Sequence, residues 1–162
     1  MTHHATHQHG GAAEAAPYLH LAIMAALSFV AMFVLMYAMV NTFADVFLNV
    51  NQVYMAGLMT APMIIIELVV MAAMYPSRQM NAALILLAAL VGVAFWLGIR
   101  YQTAVGDEQF LRSMIPHHSG AILMCDGASL TDPEIRTLCS TIVSGQQAEI
   151  DQMNAILKRL GG

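Results

Sequence analysis

Three long apolar runs, Tyr18 to Val40, Val53 to Met74 and Met80 to Ile99, dominate the first part of the chain. Each approaches the about 20 apolar residues that carry a helix across a hydrocarbon core, so the pattern predicts three membrane helices. Asn41 to Gln52 separates the first two as a polar connector carrying Asn41, Asp45, Asn49 and Asn51. Tyr75-Pro76-Ser77-Arg78-Gln79 is a tight link with a helix breaker, which predicts a hairpin of the second and third helices. The first run exceeds the roughly 7 to 15 apolar residues of a signal peptide and follows histidines rather than Lys or Arg; it reads as a retained anchor.

After Arg100 the spacing of apolar residues changes. Phe110, Met114, His117, Ala121, Met124 and Ala128 recur at three and four residues, with Asp107 extending the line, as one stripe of an amphipathic helix does. Thr131-Asp132-Pro133-Glu134 offers a capping box and an early-turn proline to a second helix. That helix carries Ile135, Leu138, Ile142, Gln146, Glu149, Met153, Ile156 and Leu160 on one face and ends at Gly161-Gly162. Pro116 is expected to interrupt the first of the pair and to bend it just before His117 and His118. A short Ser129-Leu130 connection makes the two helices antiparallel and sets His117 and His118 opposite Ile142 to Gln146, with Asp107 near Met153. The expected fold is all-α: a flexible tail over residues 1–17, a three-helix membrane domain over 18–100 and a soluble helical hairpin over 101–162. Two helices bury little surface alone, so oligomerisation or docking is expected to complete the hairpin.

Composition agrees with a bilayer as solvent. Apolar residues make up 59% of the 162 and charged ones 10%, against roughly a quarter charged in soluble domains. Glu67 is the one acid or base between Asp45 and Arg78, and no Lys or Arg precedes Gln52. A net charge of -4 without basic clusters excludes a phosphate-binding face for nucleic acid. No nucleophile elbow, phosphate-cradling loop or zinc-protease motif is present, and no enzymatic activity is expected.

The chemistry concentrates in the last two helices. Asp107, Met114, His117 and His118 on one, and Gln146, Glu149 and Met153 on the other, combine oxygen, sulfur and nitrogen donors, with Met124 a further thioether. Thioether selects Cu(I) and imidazole suits copper in either oxidation state, so copper, or silver as its softer mimic, is the best match. The plainer alternative makes Met114 and Met153 core fillers, and leaves one of the adjacent histidines on the surface because successive helix positions point about 100° apart. Cys125 and Cys139 fit a disulfide offset by about one turn, a pair of thiolates suited to Cu(I), or two small buried apolar residues. His3, His4, His7 and His9 form a histidine tract of the kind that binds metals weakly.

In the membrane part, Met55, Met59, Met63, Glu67 and Met71 recur every four residues. A carboxylate at mid-membrane costs about 2.5 to 3.5 kcal/mol on insertion scales and is usually paired or functional. Glu67 is expected to be neutral, buried between helices or a ligand, and the carbonyl freed by Pro62, one turn earlier, offers it a partner. The methionine spacing is similar to that of three-helix copper-uptake channels, which implies a Cu(I) conduit, with ordinary helix packing the plainer alternative; their third-helix glycine pair is absent, because Gly92 and Gly98 lie six apart.

Asp107, Phe110, Met114-Ile115-Pro116-His117-His118, Ala121 and Met124, followed by Ile142, Gln146, Glu149-Ile150 and Met153, resemble the domain family of uncharacterised function numbered three hundred and five. That family is placed with ferritin-like helical folds and includes periplasmic copper-binding proteins. Residues 54–63 and Glu67 look like its three-helix membrane version. The resemblance implies copper binding rather than a reaction. Family members often carry two copies of the hairpin, where this chain has one, and a homodimer would restore the second. The expected role is a membrane-anchored copper or silver binder in a bacterial inner membrane, its hairpin periplasmic by resemblance, since Arg78 against Arg100 and Arg112 leaves orientation nearly tied. The rival readings are the conduit and an accessory subunit of a larger membrane complex. A di-iron oxidase lacks its Glu-x-x-His motif here.

Overall fold

The computed structural model describes residues 9–161, with side chains from Ala15 onward. Among these residues the chain is helical without strands: α1 (His9–Leu35), α2 (Val50–Val70), α3 (Arg78–Tyr101), α4 (Asp107–Gly127) and α5 (Pro133–Leu160), with short 3-10 turns at Met36–Met39, Phe43–Asp45 and Ala72–Met74. Ala15–Met39, Val50–Val70 and Arg78–Tyr101 are each long and apolar enough to cross a membrane. α1 begins well inside the stretch expected to be a flexible tail. Ala12, Ala13, Ala15 and Ala16 account for the extension, alanine being the strongest helix former.

The chain divides into two compact units, one from Met1–Met32 with Tyr54–Gly98, the other from Phe33–Val53 with Ile99–Gly162. In the first unit the buried positions of α2 and α3 are mostly small: Ala56, Gly57, Thr60, Ala61, Ala88, Gly92 and Gly98. Small residues let helices approach until a large side chain from one fills the gap in the other. A Cβ on Gly57 would run into the Phe95 ring, and one on Gly98 would stand 3.1 Å from the Tyr54 ring. Leu21, Leu68 and Tyr75 form a second buried cluster. Beside it the Tyr18 hydroxyl donates to Asn81 Oδ1 at 2.8 Å and ties α1 to the start of α3.

In the second unit, α4 and α5 share a core of Leu111, Ile115 and Ile122 with Ile150, Met153 and Leu157. The helices run in opposite directions, since Cys125 meets Cys139 while His118 meets Glu149. The Asp132 carboxylate caps α5 by accepting from the amides of Glu134 and Ile135, with Pro133 in the first turn; the cap is therefore Asp132 rather than a box built on Thr131. Gly161, at φ 90°, takes the left-handed conformation that closes the helix.

Three local expectations change. The buried face of α4 runs through Leu111, Ile115, His118, Ser119 and Ile122, about one residue round from the stripe of Phe110, Met114, His117, Ala121, Met124 and Ala128. That stripe is left half-buried or exposed. The reason is that α4 has two neighbours, α5 and the connector after α1: Ser119 Oγ donates to Asp45 Oδ2 at 2.6 Å and accepts from the Asn41 amide at 3.0 Å. Second, the expected interruption is absent: α4 runs through Pro116 as one continuous helix. Proline removes the hydrogen bond to the carbonyl four residues earlier, and the amide of Asn49 donates to that Arg112 carbonyl instead, at 3.4 Å. Third, His118 lies opposite Glu149, nearly a turn beyond the expected Ile142 to Gln146. The link between helices spans Ala128 to Asp132, longer than the two residues assumed, and shifts the register.

Candidate metal centre

His118 is the fixed point. It sits on the inner face of α4, 9% exposed, where a polar ring needs partners at both nitrogens. Nδ1 lies 2.9 Å from the Met114 carbonyl, and a carbonyl only accepts, so Nδ1 carries a hydrogen. Nε2 lies 2.8 Å from Glu149 Oε2 on α5. In the neutral ring with hydrogen on Nδ1, Nε2 presents a bare lone pair to a carboxylate. Two acceptors at that distance repel unless a proton lies between them; a metal cation, bonded at about 2 Å to each donor, would replace that proton and could not lie on the line between them. Anchoring one ring nitrogen on a backbone carbonyl is also how proteins orient a metal-binding histidine. The Glu149 side chain is 56% exposed, so the pair opens to solvent on the carboxylate side.

The other expected donors gather unevenly. Gln146 Nε2 reaches Glu149 Oε2 at 3.5 Å and joins the edge of the pair. The His117 ring is exposed, edge-on to His118 with centroids 6.1 Å apart. Met114 packs half-buried against the helix-pair core, and Met153 is a member of that core, the plainer of its two expected roles. Met124 is exposed, one position before the bridged Cys125. Asp107 stands exposed in the first turn of α4, where a carboxylate complements the helix dipole. Among the described residues, no group of three or more His, Cys, Asp and Glu side chains converges as a metal site. One chain thus supplies a two-donor pair with further donors along an open face. Cys125 and Cys139 are joined in a disulfide.

In the first unit, Met55 and Met59 are exposed, while Met63 and Glu67 are half-buried on α2. The partner of Glu67 is the Tyr75 hydroxyl, which donates to Oε1 at 3.2 Å, rather than the carbonyl freed by Pro62. Burial, then the Glu67 carboxylate, raises the Tyr75 hydroxyl above its ordinary pKa and keeps it a donor. Sequence reasoning passed over Tyr75 because it lies in the turn, outside the apolar helices. His3, His4 and His7 lie outside the described residues, as does the side chain of His9.

Residues 71–157 match the profile of a domain of unknown function, DUF305. The chain belongs to the DUF305 family. The match takes in α3 as well as α4 and α5, more than the final third that the motif residues covered. This DUF305 chain is also similar to an uncharacterized protein of Acanthamoeba polyphaga mimivirus, 34% identical over 119 residues, which cover 72% of this chain and 76% of that protein. No solved structure matches it.

Proposed function

We propose that this DUF305 protein is a membrane-anchored copper-binding protein, non-enzymatic, that captures copper at the His118–Glu149 pair for handling or resistance. The observation that carries the reading is the His118 ring, tied at Nδ1 to a backbone carbonyl with Nε2 presented to a carboxylate. The exposed His117 ring and the Met114 and Met124 thioethers lie on the adjoining face and supply the soft character that favours copper or silver over harder ions. The three apolar helices are the anchor, and the helix pair is a ferritin-like hairpin placed in the periplasm of a bacterial inner membrane. A second copy of the chain covers the apolar face that includes Phe110, Met124, Ile135 and Leu138 and completes the coordination. Support for this comes from the exposure of those four residues and from the two-donor site of a single chain.

Competition of the detergent-purified protein with a chromogenic copper chelator, together with elemental analysis, tests the reading. Wild-type protein is expected to retain copper, and His118→Ala with Glu149→Ala to weaken binding by at least about tenfold. His117→Ala is expected to weaken it less. A protein that takes up no copper, or an affinity unmoved by the double substitution, overturns the proposal.

A further inference from the structure

We propose a second site for a thiophilic monovalent cation, Cu(I) in the first instance, made by Cys125 and Cys139 once their bond is opened by a dithiol. The bridge joins the last turns of α4 to the second turn of α5 across a Cα separation of 5.4 Å, and neither cysteine is fully buried. Both line an open groove of about 930 Å³, whose wall also holds Asp126, Arg136, Ser140 and Gln147. The sulfurs are therefore reachable by a small dithiol or by a dithiol-bearing protein segment without unfolding the helix pair. A core of Leu111, Ile115, Ile122, Ile150, Met153 and Leu157 joins the same two helices besides the bond. After opening, the two backbone positions keep both sulfurs close enough to share one small ion.

The groove also sets a direction of attack. Arg136 lies one helical turn before Cys139, while Asp126 adjoins Cys125. A guanidinium favours a thiolate and a carboxylate disfavours one, so Cys139 is the better leaving group. An incoming thiolate forms a bond to Cys125 Sγ, the Cys125–Cys139 bond breaks, and Cys139 departs as thiolate. The second thiol of the reagent then displaces Cys125, so the reagent leaves as a disulfide and two electrons have passed to the protein. Cu(I) binds the resulting pair without changing oxidation state, releasing whatever protons the two sulfurs still carry; thiolate is the soft ligand that selects it. Met124, exposed beside Cys125, adds a thioether at the rim. This site does not depend on metal binding at His118 and Glu149.

The test uses the full-length protein in detergent, treated with dithiothreitol, desalted without oxygen and titrated with Cu(I) against a chromogenic chelator. Alkylation is expected to label Cys125 and Cys139 under native conditions. The reduced protein is expected to bind one more equivalent of Cu(I) than the oxidised protein, with a thiolate-to-copper absorption band. The oxidised wild type is the folded control. Cys125→Ser with Cys139→Ser is expected to lose the extra equivalent, and His118→Ala with Glu149→Ala to keep it, which separates this site from the first. A bridge that dithiothreitol opens only after denaturation, or equal Cu(I) uptake by reduced and oxidised protein, overturns the inference.

Discussion

The two units of this chain differ in what they bury: between α2 and α3 the first buries mostly small residues, beside a cluster of Leu21, Leu68 and Tyr75, and the second buries mainly large aliphatic ones. In the first, Ala56 is wholly buried and Ala61 and Ala88 nearly so, while Leu27, Leu86 and Val70 are between 61% and 75% exposed. In the second, Ile115 is wholly buried and Ile150 nearly so, and the exterior of α5 carries Glu, Gln, Asp, Lys and Arg. A bilayer around α1 to α3 would account for the contrast. Where the surroundings are as apolar as leucine, association gains little from burying large side chains, and close backbone approach through small residues supplies the packing. Where the surroundings are water, large apolar side chains must turn inward. The proposed membrane placement of α1 to α3 supplies a reason for the difference.

Four substitutions sharpen or break that contrast. The largest effect is expected from Ile115→Ala, which opens a cavity in the helix-pair core and costs about 2 to 5 kcal/mol. Leu160→Ala, on an exposed position in the last turn of α5, should cost well under half of that in a denaturant titration followed by hydrogen exchange. Next, Leu86→Arg is expected to disfavour membrane insertion by about 2.5 to 3.5 kcal/mol in a glycosylation-reporter assay. Gln152→Arg, equally open on α5, should leave stability within about 0.5 kcal/mol. Tolerance of Leu86→Arg would remove the bilayer from the account.

Gly57→Val forces a side chain into the Phe95 ring and is expected to lower stability by about 1 to 3 kcal/mol, read as a drop in Tm in detergent. Adding Phe95→Ala should recover part of the loss, and no recovery would mean that the two residues do not pack as described. The smallest of the changes expected to move stability has the opposite sign. Gly145→Ala lies within α5 with open space around its Cβ, and should stabilise by about 0.5 to 1 kcal/mol in thermal melts.

The three apolar helices were legible because a run of apolar residues is a local property, and so were the two amphipathic helices after Arg100. The face that α4 buries was not. Phe110-Met114-His117-Ala121-Met124 and Leu111-Ile115-His118-Ile122 both satisfy helical spacing, and periodicity alone gives no means of ranking two stripes one residue apart. Asn49 and Asp45 were visible only as polar connector residues. Their work is to donate to the carbonyl freed by Pro116 and to hold Ser119, contacts that depend on residues more than sixty positions away.

Within the candidate site, His118 and Glu149 were both recognised as donors, yet their pairing depended on a register that the five-residue link determines. Cys125 and Cys139 were equally readable as thiols, apolar fillers or a bridge, because the choice rests on a Cα distance that spacing along a chain does not contain.

By itself the sequence determined the all-helical class, the three helices long and apolar enough to cross a membrane, the DUF305 motif and the kinds of donor atoms available, because each is written in short-range pattern and composition. Tertiary structure alone decided which α4 face is buried, which donors meet, and that the cysteines join. Those outcomes depend on the rotation and register of one helix against another, to which a difference of one residue means about 100°.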